Sequence, residues 1–168
     1  KYARNLWITD PLVGIPQKYQ GMSWDDFLYD LGGENNCSKV ALIRQWADNI
    51  PVDKPPRRYE SLMIVRDANG VGKTMLACCA LQTIIHRFEQ TARDRSPYQF
   101  WTAGKVKQRI RAAQRYGSTE TEQEAYRDFA TMWLLVIDDL GRERPDAVEV
   151  SLVNEIYYTI INDRYNAE

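Results

Sequence analysis

The sequence predicts an α/β fold in which helices flank a parallel sheet. Two apolar runs of strand length, at residues 62–65 and 133–137, each lead directly into a cluster of polar or glycine residues. A third run lies between them at residues 98–102. Segments with helical periodicity separate the three runs, and parallel strands are joined by helical crossovers of this kind.

The composition limits the class of protein. With 168 residues, of which 44% are hydrophobic and 27% charged, the chain has enough apolar material for one compact domain. Positive and negative side chains nearly balance, at 22 against 23, so any nucleic-acid contact requires a local basic patch. No apolar run approaches the ~20 residues that span a bilayer, and the first residues lack a signal-peptide pattern. We therefore expect a soluble protein.

The cysteines and the histidine predict neither a disulfide framework nor a zinc site. Cys37 and the adjacent Cys78 and Cys79 cannot all pair, and neighbouring cysteines in an apolar helix usually pack as small hydrophobic residues. His86 is the single histidine, and we expect it on a helix surface. A reducing cytoplasm fits this composition. The chain begins with Lys1 and not with Met, which suggests a piece of a longer polypeptide.

Residues 1–56 are expected to lead into a core that spans residues 57–168. Prolines punctuate the first segment, as is typical of connecting chain. Ser23 has the position of an N-cap for a short helix that reaches residue 29, with Trp24 and Phe27 expected in the core. Residues 38–48 predict a second helix.

The first half of the predicted core is a strand, a loop and a helix. The strand at 62–65 leads into a glycine-rich loop, and a helix is predicted over 73–93. A strand over 98–102 and a helix over 103–116 follow. One buried face of the helix over 73–93 is expected to consist of Leu81, Ile84, Ile85 and Phe88.

The second half of the core ends in another strand and helix. A polar connection at 117–122 precedes a buried strand at 133–137. The last helix is predicted to begin near Asp146, because Glu149 three residues later completes a capping-box pattern. Its apolar positions recur every four residues at Val148, Leu152, Ile156 and Ile160.

The glycine-rich loop has the residue types of a P-loop. In such a loop successive backbone N–H groups surround the β-phosphate at a helix N-terminus, a lysine reaches the β- and γ-phosphates, and a hydroxyl coordinates Mg²⁺. Lys73 and Thr74 have the last two roles. A chance match is the alternative, and the strand before and helix after it count against that. The predicted ATP-binding residues are Asn69, Gly70, Val71, Gly72, Lys73, Thr74 and Met75.

One position departs from the P-loop pattern. The motif normally begins with a glycine, where this chain has Asp67. Aspartate tolerates a left-handed backbone, so the loop can still form. The carboxylate would nevertheless oppose a bound phosphate, so Asp67 puts the nucleotide affinity in question.

Two aspartates at the end of the run 133–137 complete the pattern of a Walker B motif. Asp138 is predicted to hold Mg²⁺, partly through water and together with Thr74, and Asp139 to polarise the attacking water. Lys73 and Asp139 are the predicted catalytic residues. The alternative is a strand that ends in a solvated acidic turn, and the P-loop counts against it because each motif needs the other.

These residues resemble the AAA+ helicase loaders of the DnaC and DnaI type and the related transposition ATPase IstB. The resemblance spans most of the chain and rests on residues 14–19, 24–27, 138–141 and 161–165. Most AAA+ proteins place a glutamate after the Walker B aspartate, whereas these loaders resemble this chain in having an aspartate there. The single strand predicted between the motifs fits the additional-strand class of P-loop ATPases and argues against a nucleotide kinase.

The resemblance implies an ATPase that uses Mg²⁺ and ATP to load a replicative helicase onto single-stranded DNA. It also implies a homo-oligomer built through AAA+ interfaces, in the cytoplasm of a bacterial or phage-infected cell. A lone subunit should be slow, because a neighbour supplies the arginine that stabilises the transition state. An IstB-like transposition ATPase and a nucleotide-dependent DNA-binding switch with little or no hydrolysis are the alternatives.

The predicted helix over 103–116 has basic residues beside an apolar face made by Val106, Ile110 and Ala113. Such a flank can neutralise nucleic-acid phosphates, and aromatic rings nearby can stack on bases. A solvated helix face explains the same pattern equally well. The candidate DNA-binding residues are Lys105, Lys107, Arg109, Arg111 and Arg115, and the candidate rings are Trp101, Tyr116 and Trp133.

The resemblance also implies strands that lie beyond residue 168. In AAA+ proteins the sensor 1 strand lies between the P-loop strand and the Walker B strand, and the arginine finger and sensor 2 follow it. A sheet that lacks a central strand leaves buried backbone groups unpaired, at ~1–3 kcal/mol each. We therefore expect the fold to be incomplete at its C-terminus.

Overall fold

The computed structural model describes residues 8–11, 13–26, 34–52, 61–65, 70, 72–87, 98–140 and 147–166, with the backbone alone at 34–37 and 147–153. The chain divides into two compact units, Lys1–Gln99 and Phe100–Glu168, and each has buried apolar residues of its own. The boundary predicted after residue 56 falls inside the first unit and stays a prediction. Among the described helices, none is long and apolar enough to cross a membrane.

The first unit is built on two helices that pack against each other. They are α1 (Glu34–Asn49) and α2 (Lys73–Arg87), and a short 3-10 helix, Gln17–Tyr19, also contacts α2. Helix α1 contains the predicted segment 38–48, and α2 begins at the predicted residue. The buried face of α2 includes Leu81, Ile84 and Ile85, as predicted, whereas Phe88 lies outside the described residues.

The lead-in segment is attached to α2 by side chains. Ser23 caps the helical turn that follows it, because its hydroxyl accepts from the Asp26 N–H while its own N–H donates to the Asp26 carboxylate at 2.7 Å. The Trp24 indole is 8% exposed and donates to the Thr83 hydroxyl at 2.8 Å. The N-cap and the core position of Trp24 are therefore confirmed, and Phe27 lies outside the described residues.

The two adjacent cysteines of α2 are both buried. Cys78 and Cys79 are 0% and 2% exposed, which confirms that they pack as small hydrophobic residues. Burial raises the pKa of the Cys79 thiol to about 11, so the thiol stays protonated near neutral pH. His86, in the last turn of the same helix, is exposed as predicted.

Apart from the first two residues of β1, the second unit contains a two-stranded parallel sheet and three helices. In chain order the elements are β1 (Tyr98–Thr102), α3 (Ala103–Ala113), α4 (Glu122–Thr131), β2 (Leu134–Asp138) and α5 (Ala147–Asn166). The strand at 98–102 is confirmed. Helix α3 ends three residues before the predicted residue 116, and Gly117 follows with a left-handed φ of 82°.

Helix α4 lies between the predicted polar connection at 117–122 and the predicted strand at 133–137, where the sequence predicts no element. Its start has a full capping box: the Thr121 hydroxyl accepts from the Glu124 N–H at 3.2 Å, and the Glu124 carboxylate accepts from the Thr121 N–H at 2.7 Å. Only Ala125 and Phe129 of this helix are buried. Two buried positions in a largely charged segment give a weak periodic signal, which is why the helix was not predicted.

The core of the second unit lies between its three helices. Its fully buried residues come in pairs from α3, α4 and α5, and Trp101 packs on Phe129 edge to face with ring centroids 5.2 Å apart. Burial of Ile156 and Ile160 confirms the periodicity predicted for the last helix. Asp146 and the side chains of Val148 and Leu152 lie outside the part of the chain that the structure describes. The core residues are Val106, Ile110, Ala125, Phe129, Ile156 and Ile160.

Two predictions about strands are wrong. Residues 61–65 have no regular secondary structure, and Met63 and Val65 are 77% and 70% exposed. A strand requires ladder hydrogen bonds, and the sheet that the described residues form consists of β1 and β2 alone. Strand β2 is half-buried along its whole length, not buried, because β1 is the one strand paired with it in the described chain.

Candidate functional site

The glycine-rich turn of the first unit holds two glycines in a backbone conformation that favours this residue type. Gly70 and Gly72 have φ of 74° and 81°, in the left-handed region that side chains with a Cβ rarely adopt. The Gly72 carbonyl then accepts the first helical bond, from the Leu76 N–H at 2.9 Å. Helix α2 therefore begins directly after Gly72, while Asn69, Val71 and Asp67 lie outside the described residues.

The first turn of α2 carries the two polar residues of the predicted motif. Lys73 and Thr74 are half-buried, and this turn contains no acidic side chain. Helix N-terminal N–H groups carry a partial positive charge, which favours an anion when no nearby carboxylate occupies it. Met75 is 7% exposed, so its side chain belongs to the core and only its backbone can contact a ligand.

The aspartate pair of the second unit lies where β2 ends. Asp138 is the last residue of β2 and is half-buried, and Asp139 follows it in an exposed turn. Asp139 has φ of 59° and is the single non-glycine residue with positive φ in the described chain. Aspartate tolerates this conformation better than most residues, and such outliers concentrate at functional sites. No pattern in the sequence predicts this backbone.

Each motif offers one oxygen of the kind that Mg²⁺ prefers. Mg²⁺ is usually held by one or two protein oxygens, substrate phosphates and water. The Thr74 hydroxyl lies in the first unit and the Asp138 carboxylate in the second, and each is an oxygen of that kind. No group of three or more His, Cys, Asp and Glu suited to a metal occurs among the described side chains. A cage made entirely of protein ligands is therefore not the arrangement that the described part of the chain offers.

The basic helix predicted to contact DNA is α3. Val106 and Ile110 are fully buried and Ala113 is partly buried, so the predicted apolar face is confirmed. Lys105 and Arg111 are exposed on the outer side, and Lys107 is half-buried. Arg115 is exposed in the turn that follows α3.

The guanidinium of Arg109 is bound by two carboxylates. Its Nε donates to Glu120 at 3.1 Å and its Nη2 donates to Asp128 at 2.7 Å and to a second Glu120 oxygen. The hydrogen bonding of the guanidinium to Glu120 is the main reason that the Arg109 pKa is raised. The group also lies over the Trp101 and Phe129 rings, at 5.6 and 5.0 Å from their centroids. A phosphate would have to displace two carboxylates, so Arg109 fits a structural role.

The three candidate stacking rings have very different exposures. Trp133 is 9% exposed and Trp101 packs against the core, whereas Tyr116 is fully exposed after α3. A base can stack only on an accessible ring face. Tyr116 is therefore the candidate that fits, and it is adjacent in sequence to Arg115.

Two polar residues have roles that the sequence did not indicate. Gln82 is 3% exposed, and its amide accepts from the Gly21 N–H at 2.7 Å and donates to the Tyr19 carbonyl at 2.9 Å. Arg164, near the end of α5, donates to backbone carbonyls between Phe129 and Trp133. A polar residue within an apolar helix face is the signal that could have identified Gln82.

Comparison with known proteins identifies no relative. No protein-family model, no curated protein and no solved structure matches the chain. The assignment of a function therefore depends on the chemistry and backbone geometry of the two motifs, each considered within its own unit.

Proposed function

We propose that the chain is a P-loop ATPase of the AAA+ type, which binds Mg-ATP and hydrolyses it slowly as a lone subunit. The observation that carries the proposal is the pair of left-handed glycines, Gly70 and Gly72, directly before the N-terminus of α2. Glycines in this conformation before a helix N-terminus allow backbone N–H groups to bind an anion, and the two residues after Gly72 are the lysine and the hydroxyl that a nucleoside triphosphate needs.

Each motif residue has a separate task in the proposed reaction. Backbone N–H groups of the turn hold the phosphates, and Lys73 neutralises charge on the β- and γ-phosphates. Thr74 and Asp138 would hold Mg²⁺, which when bound neutralises phosphate charge during transfer. Asp139 would accept a hydrogen bond from the attacking water and orient it toward the γ-phosphate.

The cellular role that we propose is helicase loading on single-stranded DNA, within a homo-oligomer and with a replicative helicase as partner. The exposed basic residues Lys105, Arg111 and Arg115 support contact with a phosphate backbone, and exposed Tyr116 supports base stacking. Stacking needs unpaired bases, so this feature favours single-stranded over duplex DNA. Preference for duplex DNA together with transposase capture would instead support the IstB-like alternative.

The first experiment is calorimetric titration of ATP and ADP, with and without Mg²⁺, into the wild-type chain and Lys73→Ala. Loss of a hydrogen bond to a charged group costs ~1.5–3 kcal/mol, so we expect at least ~10-fold weaker ATP binding by Lys73→Ala. Lys39→Ala, an exposed lysine on α1, is the matched control and should bind as the wild type does.

Two outcomes would change the proposal. An absence of ATP binding by the wild-type chain that Asp67→Gly restores would mean that the P-loop is degenerate. ATP binding without any turnover, even with DNA and the helicase present, would favour the nucleotide-dependent DNA-binding switch.

The DNA contact is tested separately by fluorescence anisotropy with a labelled single strand. Tyr116→Ala and Arg111→Ala should each weaken binding, with the Arg111 effect smaller at high salt because phosphate contacts are screened. Arg127→Ala, an exposed arginine on α4, is the control. Equal affinity of all four proteins would place the DNA contact elsewhere.

A further inference from the structure

We infer that Arg164 is a positioning residue for Asp138 and Asp139, because its guanidinium fixes the connection from which β2 begins. The inference rests on the proposed function, since it concerns the Mg²⁺-binding and water-orienting residues of that site. Arg164 lies in the last turn of α5, away from the aspartates in sequence, and touches neither of them by a described hydrogen bond.

The guanidinium bonds to the whole link between α4 and β2. Its Nη1 donates to the carbonyls of Phe129 at 2.7 Å, Ala130 at 3.3 Å and Met132 at 2.7 Å. Its Nη2 donates to the Trp133 carbonyl at 3.4 Å. Met132 and Trp133 are the two residues between the end of α4 and the start of β2, so both carbonyls of that link are bonded to one side chain.

These bonds also satisfy the C-terminus of α4. The last carbonyls of a helix have no partner within the helix and carry partial negative charge, which a cation stabilises. Burial lowers the pKa of Arg164, and within the described chain no carboxylate forms an ion pair with it. The carbonyl dipoles are therefore its described partners, and removing the guanidinium would leave several of them unpaired at once.

The position of β2 depends strongly on this anchor. The strand is half-buried and pairs with β1 alone in the described sheet. Asp138 is five residues after Trp133, which is ~16 Å along an extended strand, and a strand transmits a shift of its first residue to its last. Metal and water positioning requires a precision of ~0.5 Å, so a small shift of the link would reach the site.

The test compares Arg164→Lys and Arg164→Met with the wild type by titrating ATP in Mg²⁺ and in EDTA. The lysine keeps the charge but has no planar fork to span separate carbonyls, and the methionine keeps apolar bulk alone. We expect ATP affinity in EDTA to stay within ~2-fold, since it depends on the P-loop, while the increase that Mg²⁺ produces falls by at least ~5-fold. The lysine variant should lose less than the methionine variant.

A double-mutant cycle separates positioning from simple destabilisation. If Arg164 acts through the aspartate, Arg164→Lys should add little to the loss that Asp138→Asn causes in the Mg²⁺-dependent increase of ATP affinity. Arg87→Lys is the matched control, because Arg87 Nη1 also donates to one backbone carbonyl, that of Ala47, at 2.7 Å in the first unit. It should lower the melting temperature without changing the Mg²⁺-dependent increase.

Hydrogen exchange distinguishes failure of this inference from failure of the proposed function. Faster exchange of the 134–138 amides in Arg164→Lys, with α3 amides unchanged, is expected and does not depend on nucleotide. An unchanged Mg²⁺ effect or unchanged β2 exchange in a variant that still binds ATP overturns the positioning role alone. Absence of ATP binding by the wild type overturns the proposed function and the role at the Mg²⁺ site together, whatever the exchange data show.

Discussion

Residues 62–65, which precede the glycine-rich turn, and residues 134–138, which precede the aspartate pair, are both apolar runs of strand length, yet only the second forms a strand. The second run has β1 beside it and Arg164 bonded to the link at its start. The first run has neither among the described residues and exposes Met63 and Val65. A neighbour, and not apolar composition, decides which run becomes a strand.

The two motifs are consequently fixed by different neighbours in the chain, one by the element that follows it and the other by the element that precedes it. The glycine-rich turn is fixed by the helix that follows it, and α2 is tied to the lead-in segment by Gln82 and Thr83. The aspartate pair is fixed by the strand that precedes it, through the core of the second unit and Arg164. Disruption of α2 should therefore affect the glycine-rich turn first, and disruption of β2 should affect the aspartate pair first.

The largest difference is expected from deleting apolar side chains. Phe129→Ala removes a fully buried ring on which Trp101 packs, and should lower the free energy of unfolding by ~3–5 kcal/mol. Met63→Ala removes a side chain that is 77% exposed and should change it by less than ~0.5 kcal/mol. Urea unfolding measures both, and a large loss in Met63→Ala would mean that the first run is packed after all.

The next effect concerns the attachment of the lead-in segment. Gln82→Leu keeps the volume but removes the partner of the Gly21 N–H and of the Tyr19 carbonyl, at ~0.5–1.5 kcal/mol for each hydrogen bond, because Gly21 is exposed and Tyr19 half-buried and water can replace the amide. Faster hydrogen exchange is expected at residues 17–21 before the rest of the first unit. Gln108→Leu, on the exposed side of α3, is the control, and an equal effect there would contradict this role.

A matched pair of glycines separates backbone strain from function. Gly70 and Gly117 have φ of 74° and 82°, and an added Cβ meets nothing within 4 Å at either position. Replacement by alanine should cost ~1–2 kcal/mol of stability in both cases, because the left-handed backbone is strained for alanine. Only Gly70→Ala should weaken ATP binding in calorimetry. Equal loss of ATP binding in both variants would argue against the glycine-rich turn as the phosphate site.

The smallest effect is the pH dependence of the two caps. Hydrogen bonds from Ser23 lower the pKa of Asp26, and those from Thr121 lower the pKa of Glu124. A depressed folded-state pKa contributes stability above the unfolded values of about 3.9 and 4.3, and this is lost as pH falls through the folded pKa. Asp26→Asn and Glu124→Gln should each flatten the acid side of a melting-temperature profile slightly. Unchanged profiles in both variants would contradict this linkage.

Local features were predicted well from the sequence. The start of α2 at Lys73, strand β1, the Ser23 cap and the buried isoleucines of α5 all follow from residues close together in the chain. Helix α4 was missed although Thr121 and Glu124 have the same capping pattern that predicted the last helix. Its charged composition outweighed that signal.

Non-local features were not predictable in the same way. The missing strand at 62–65 depends on a partner strand, and the ion pairs of Arg109 depend on Glu120, which lies before α4, and on Asp128 within that helix. In the sequence, Arg164 is notable only through the family resemblance. In the structure, its guanidinium donates to backbone carbonyls between residues 129 and 133. Pairings of this kind require knowledge of which elements are neighbours in space.

The left-handed φ of Asp139 has a consequence for which amino acids this position can accept. Asparagine and glycine suit such a backbone but remove the negative charge, whereas glutamate keeps the charge on a side chain that adopts this backbone less readily. In a saturation library sorted for folding, asparagine and glycine should be enriched, and in one sorted for turnover they should be depleted. Substitutions at position 139 can therefore test the backbone conformation and the negative charge separately.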